Sequence, residues 1–121
     1  MEKEPTFGHG KICYIEIPAV DPQASADFFE KVFGWHIRKD GGHISFDDGV
    51  GEVSGMWITN RKPQQNPGIM VSIMVDDAQA TSEAIAENGG AILKPVGFQT
   101  EKVAIFKDPG GNIWSIYQHT P

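Results

Sequence analysis

Tyr14 and Glu16 are the side chains in this sequence best suited to acid–base chemistry. They lie two residues apart in a segment, Lys11–Pro18, whose β-branched and apolar residues predict a strand. Side chains alternate between the faces of a strand, so the phenol and the carboxylate are expected to point the same way. In an apolar cleft, Glu16 could act as a general base with Tyr14 as proton donor. Alternatively, Glu16 forms an ion pair with a lysine or arginine, or lies at the wet mouth of the cleft.

The histidines and the single cysteine do not form a recognisable metal-binding motif. His9 precedes the first predicted strand, His36 and His43 flank a predicted hairpin, and His119 follows the last strand. Histidines without the spacing of metal ligands are usually solvated surface groups. Cys13 is expected to be a buried thiol that faces the helices, and one cysteine permits no internal disulfide.

Composition indicates a single globular domain spanning residues 1–121, with 40% hydrophobic and 21% charged residues. A net charge of −6 argues against nucleic acid or an anionic membrane as partner, because both require a basic surface. No apolar run approaches the roughly 20 residues that span a bilayer, and the first twenty residues contain no signal-peptide core. These features predict a cytoplasmic protein.

The sequence contains an internal repeat of one structural unit. Predicted helices begin at Asp21 and Asp77, and further along the chain Phe46 aligns with Phe106. Each unit supplies one strand before the helix and three strands after it. We therefore predict two tandem βαβββ modules, at about residues 9–60 and 69–119, joined by a polar linker over residues 60–68.

The segment Asp108–Gln118 carries the most specific signal, an Asp-Pro-Gly-Gly-Asn turn followed by a β-branched and aromatic strand. Together with Ile-Pro-x-x-Asp at Ile17–Asp21 and Phe-Phe-Glu-Lys-Val-Phe-Gly-Trp at Phe28–Trp35, it resembles the vicinal oxygen chelate superfamily of glyoxalases, bleomycin-resistance proteins and extradiol dioxygenases. The resemblance covers Gly10–Gln118. It implies an α+β fold in which two tandem βαβββ modules form an open, barrel-like sheet, with helices outside and a cleft inside.

In the metal-dependent members of this superfamily, one residue on the first and last strand of each module binds the metal. The resemblance places Tyr14, Gly55, Met70 and Ser115 at these positions, and the internal repeat pairs them in the same way, Tyr14 with Met70 and Gly55 with Ser115. A phenol, a hydroxyl, a thioether and a residue without a side chain do not suit the divalent ions that the superfamily uses. The sequence therefore predicts that the family metal site is absent and that no cofactor is bound.

Side chains on the same strand faces as these positions make up the predicted cleft lining. Trp57 and Tyr117 stand at equivalent positions and could hold a flat ligand between them, or they could serve packing alone. Met70 and Met74 could likewise be adaptable lining or core filler. Such a cleft is expected to bind a small, partly aromatic molecule. Its predicted ligand-binding residues are Tyr14, Glu16, Trp57, Met70, Ser72, Met74, Ser115 and Tyr117.

Three functions of different class remain open from the sequence. The first is a metal-free binding protein, similar to the bleomycin-resistance members. The second is an enzyme of lyase or dioxygenase type that uses Glu16 and Tyr14, or a metal bound at a non-standard site. The third is a structural or regulatory dimer whose cleft is filled by its own side chains. The resemblance also implies a homodimer, with clefts built partly at its interface.

Overall fold

The structure, a computed structural model, describes residues 4–119 and contains two helices and eight strands within them. Each half has the order strand, helix, three strands, as predicted. The first half comprises β1 (Tyr14–Pro18), α1 (Pro22–Phe33), β2 (His36–Asp40), β3 (His43–Asp47) and β4 (Ser54–Ile58). The second half comprises β5 (Ser72–Val75), α2 (Ala78–Glu87), β6 (Ala91–Lys94), β7 (Val103–Lys107) and β8 (Ile113–Gln118).

Each module forms its own four-stranded mixed sheet. The strand orders are β1-β4-β3-β2 and β5-β8-β7-β6. In both sheets the first strand pairs in parallel with the last, and the remaining neighbours are antiparallel. The sheets are open and do not close into a barrel. This arrangement confirms the predicted α+β fold class.

Both helices begin where the sequence indicates. The carboxylates of Asp21 and Asp77 accept hydrogen bonds from backbone N–H groups of the first helical turn, and Pro22 occupies a position where its missing N–H costs nothing. Gly34 ends α1 with a φ of 70°, a left-handed conformation that glycine adopts without steric cost. Within residues 4–119, no helix has both the length and the apolar character needed to cross a membrane.

One aromatic core joins the two modules. The ring of Phe29, on α1, lies 5.9 Å from Trp57 in the first sheet and 5.4 Å from Trp114 in the second. Phe28, one residue earlier, lies 6.0 Å from Phe106 on β7. All five side chains are buried. Helix α1 therefore packs against the same core as both sheets, which fixes the modules relative to each other.

A buried polar network organises the turn before β8. The Asp108 carboxylate accepts hydrogen bonds of 2.9 Å from the backbone N–H groups of Gly110 and Asn112 and from the indole Nε1–H of Trp114. Burial raises the pKa of Asp108 above its ordinary value, although these hydrogen bonds act in the opposite direction. The turn chemistry read from the sequence thus extends into the core through Trp114.

Candidate functional site

Strand pairing determines which side chains share a face. In the first sheet Tyr14 pairs with Ser54 and Glu16 with Met56. In the second sheet Ser72 pairs with Ser115, and Met74 with Tyr117. Paired residues on neighbouring strands point to the same side. We call these sides, which point away from α1, the outer faces of the two sheets. Their members are Tyr14, Glu16, Ser54 and Met56 in module one, and Ser72, Met74, Ser115 and Tyr117 in module two.

Trp57 does not line the predicted cleft. It lies on the opposite, inner face of the first sheet, is only 3% exposed, and has its ring 4.9 Å from that of Phe46. Gly55 shares this inner face, where an added Cβ would come within 2.5 Å of the Phe46 ring. The assignment of both residues to the cleft is wrong, and Trp57 and Tyr117 cannot hold a ligand between them.

The error comes from the length of one turn. Between β3 and β4 the paired residues are Asp47 and Ser54, which leaves residues 48–53 outside the ladder. Between β7 and β8 the paired residues are Lys107 and Ile113, which leaves residues 108–112. The turn in module one is therefore longer by a single residue, and the alignment of the two modules slips by one position beyond it. Such a shift reverses the face of every side chain in a strand, so the counterpart of Ser115 is Met56, not Gly55.

The resemblance assigns four positions to the family's metal, and the side chains present there make a donor set that does not suit a divalent ion. After the correction in β4, the positions carry the phenol of Tyr14, the thioethers of Met56 and Met70, and the hydroxyl of Ser115. Methionine sulfur is a soft ligand and binds hard or borderline divalent ions poorly. Among residues 4–119, no group of three or more histidine, cysteine, aspartate or glutamate side chains is placed to hold a metal.

Glu16 forms an ion pair with the linker. Its Oε1 lies 2.7 Å from the Nη2 of Arg61, and both side chains are partly exposed to solvent. This is the arrangement considered from the sequence as the alternative to a general base. An ion pair this accessible to water contributes at most about 1 kcal/mol to the free energy of unfolding. Tyr14 lies on the same outer face and is 51% exposed.

The outer face of module two carries the larger group of predicted site residues. Met74 is 66% exposed and Tyr117 42%, and Met70 is also exposed just before β5. Ser72 is exposed, whereas its neighbour Ser115 is buried. Exposed apolar side chains gathered on one face are typical of surfaces that contact a ligand or another protein. The structure therefore brings the predicted residues other than Trp57 together as two groups, one on each sheet.

Cys13 and the histidines contribute little to either group. All four histidines are exposed, as predicted. Cys13, predicted to be buried against the helices, is exposed instead. It immediately precedes β1, where the alternation that buries Ile17 and partly buries Ile15 no longer provides a covered position.

Within the described part of the chain, two cavities lie between the two sheets, and the sequence did not indicate either. The linker cavity, about 310 Å³, is lined by Arg61 and Lys62 of the linker and by Glu16. The seam cavity, about 490 Å³, includes Ser72 and Met74. Ile15, Val71 and Trp114 line both. Tyr14, Met70, Ser115 and Tyr117 line neither. These cavities depend on how the modules pack, which has no local sequence signal.

Comparison with known proteins identifies the family. A model of the glyoxalase/bleomycin resistance protein/dioxygenase superfamily matches residues 11–116. A glyoxylase-like domain-containing protein from Didymella fabae is 31% identical over 126 residues, which covers 89% of this chain and 93% of that protein.

Two solved structures illustrate the fold. Fosfomycin resistance protein FosX from Mesorhizobium loti superposes with a TM-score of 0.71 at 15% identity, covering 94% of this chain and 95% of that one. TnmS3, an antibiotic binding protein from Streptomyces sp. CB03234, gives a TM-score of 0.69 at 20% identity, covering 95% and 100%. The sequence matches and the shared architecture agree: this chain belongs to the glyoxalase/bleomycin resistance protein/dioxygenase superfamily.

Proposed function

We propose that this chain is a metal-free member of its superfamily that binds a small, partly aromatic molecule at the outer faces of its sheets. The observation that carries the proposal is the set of residues at the family's metal positions, Tyr14, Met56, Met70 and Ser115. Aromatic, thioether and hydroxyl groups make a surface suited to an organic ligand rather than a metal cage.

The exposed side chains support this choice of ligand. Tyr14 and Tyr117 offer aromatic faces for stacking, and Met70 and Met74 can adapt their shape to an irregular ligand. The Ser72 hydroxyl adds a hydrogen-bonding group beside them. The proteins described as FosX and TnmS3 are named for fosfomycin resistance and antibiotic binding. A small organic molecule as ligand is consistent with both descriptions.

The complete site in this proposal is shared by two copies of the chain. The two groups of predicted residues lie on separate sheets, and each includes exposed side chains in the single chain. A two-fold dimer that sets the outer face of module one against the outer face of module two of its partner would unite them. It would also cover Met74 and Tyr117, which are otherwise exposed to water. The proposed location of this homodimer is the cytoplasm.

The alternative function is acid–base catalysis by Glu16 and Tyr14, and it has less support than ligand binding. A general base must be free to take a proton, whereas the Glu16 carboxylate is held 2.7 Å from a guanidinium nitrogen of Arg61. Replacement of Glu16 by glutamine tests the alternative once a substrate is known. An unchanged kcat would show that Glu16 does not act as the general base.

A thermal-shift screen against small aromatic compounds and antibiotics tests binding directly. A ligand at about 100 times its Kd adds about 2.7 kcal/mol to the free energy of unfolding, which raises Tm by several degrees. Tyr117→Ala should raise the Kd of the ligand and so reduce the ligand-induced rise in Tm. The matched control is Phe98→Ala, which removes an aromatic side chain of similar exposure, 39% against 42%, outside both outer faces. Equal shifts in the two variants would contradict the proposed location of the ligand.

A further inference from the structure

The seam cavity has an aromatic floor that reaches into the core. Trp35, Phe46 and Trp114 line it, and each of these side chains is buried. Val50 and Met74 stand at its exposed rim. A cavity of about 490 Å³ falls in the size range of sites for small organic molecules. The cavity is thus large enough, and apolar enough, to enclose the body of a ligand.

This cavity shares only Ser72 and Met74 with the outer faces. Ile15, Val71 and Ile73 line it from the inner sides of β1 and β5 and from the residue before β5. Ser72 and Met74 reach it only because β5 is an edge strand of its sheet. Occupation of the seam cavity therefore does not require a ligand on Tyr14 or Tyr117.

Within residues 4–119, the charged side chains that line the seam cavity all have one sign. They are Asp48 and Asp76, and no lysine, arginine or histidine of this range lines the cavity. A groove of about 410 Å³ between α1 and α2 shares Phe33, Met74 and Asp76 with the cavity and adds Asp77. It has no basic residue from the described part of the chain in its lining. The linker cavity differs, since Arg61 and Lys62 line it. An anion is therefore disfavoured in the seam cavity and a cation is favoured.

Asp76 is the carboxylate best placed to meet a ligand. Asp48 already accepts backbone hydrogen bonds from Glu52 and Val53, at 2.7 and 3.1 Å. Asp77 caps α2 by accepting one from Ala80 at 3.0 Å. The exposed side chain of Asp76 makes no hydrogen bond or ion pair with any residue between 4 and 119. Its carboxylate is free to pair with an ammonium group at the mouth of the cavity.

We propose that the seam cavity binds a small aromatic ammonium ion, with the ring on the Trp35, Phe46 and Trp114 floor and the charged nitrogen at Asp76. The aromatic floor favours the ring of such a ligand, because rings pack edge to face or offset against one another. The acidic lining favours its positive charge. The carboxylate then fixes the orientation of the ligand.

The test uses 4-iodobenzylammonium and its anionic counterpart 4-iodobenzoate as probes. Calorimetry measures Kd, and quenching of tryptophan fluorescence by iodine reports contact, since Trp35 and Trp114 line the cavity. We expect saturable binding of the ammonium probe with quenching, and at least tenfold weaker binding of the benzoate. Asp76→Asn should raise the Kd of the ammonium probe at least fivefold. The control Glu101→Gln removes the same charge from an exposed loop and should leave Kd unchanged.

Equal affinity for the two probes, or an Asp76→Asn Kd equal to that of the parent chain, would overturn the proposal. A second copy of the chain is the other occupant that could cover the cavity. In that case Asp76→Asn would shift the dimer dissociation constant measured by sedimentation and leave the probe's Kd unaltered, which also overturns it. Tyr117→Ala separates this inference from the proposed function. It should weaken binding of a ligand at the outer faces and leave the Kd of the ammonium probe unchanged.

Discussion

The side-chain amide of Asn112 donates a hydrogen bond of 2.7 Å to the backbone carbonyl of Pro18, across 94 positions of sequence. It joins the turn before β8 to the end of β1. The Oδ1 of the same side chain accepts a 2.9 Å hydrogen bond from the backbone N–H of Gln64, whose carbonyl in turn accepts from the N–H of Ile113. One buried amide thus fastens both modules and the linker together.

Replacement of Asn112 by alanine should therefore weaken the whole fold. It leaves the Pro18 carbonyl and the Gln64 N–H without their partners in a partly buried place, so we expect a loss of about 3 kcal/mol in the free energy of unfolding. Urea denaturation measures this loss. Asn66→Ala, at an exposed linker position, is the control and should change stability by less than about 0.5 kcal/mol. A similar result for both variants would mean that Asn112 does not couple the modules.

The buried carboxylate of Asp108 predicts a specific pH dependence. Burial raises its folded-state pKa above the ordinary value of 3.8. Because the folded protein then binds the proton more tightly than the unfolded chain, this group's contribution to the free energy of unfolding falls as pH rises from 3.8 to the folded pKa. Asp108→Asn removes the titrating group, so the variant's free energy of unfolding should lack this decline. The variant should also be less stable overall.

The measurement is urea denaturation of both proteins at closely spaced pH values from 3.8 upward. The difference between the two free energies of unfolding should shrink as pH rises. Asp47 also titrates near this range, since its folded-state pKa is lowered: burial acts to raise it, but the hydrogen bond from Ser54 and the charge of Arg38 together lower it. Both proteins contain Asp47, so its contribution cancels in the difference. A difference that stays constant, or grows with pH, would contradict the predicted direction.

Gly55→Ala tests the corrected register of β4. A Cβ at this position would overlap the carbonyl oxygen of Ile15 and the ring of Phe46, so we expect a loss of about 3 kcal/mol from overpacking. Gly68→Ala is the control, because nothing lies within 4 Å of the corresponding Cβ. Were Gly55 on an outer face, as its alignment with Ser115 in the internal repeat suggested, alanine would fit and the two variants would unfold at the same urea concentration.

Much of the fold was predictable because its signals are local. Asp21 and Asp77 each immediately precede an amphipathic segment, and each caps the helix that follows. The turn that begins at Asp108 contains the proline and glycines that it requires. The alternation along β1 placed Tyr14 and Glu16 together correctly. Each of these inferences needs only a few neighbouring residues.

The remaining features depend on contacts that are distant in sequence. The turn over residues 48–53 has one more residue than its counterpart. Only the pairing of β3 with β4 shows that this residue shifts the register of β4. Glu16 meets Arg61 because the linker returns over β1. Likewise, the seam cavity exists only where the two sheets meet. Propensity and periodicity carry no information about such packing.

Elemental analysis of the chain purified without chelator tests the central claim most directly. Since Tyr14, Met56, Met70 and Ser115 supply no suitable donor set, we expect transition-metal content far below one ion per chain, and no rise in Tm when Zn²⁺, Ni²⁺ or Mn²⁺ is added. A stoichiometric metal that survives dialysis, and whose removal lowers Tm, would contradict the account.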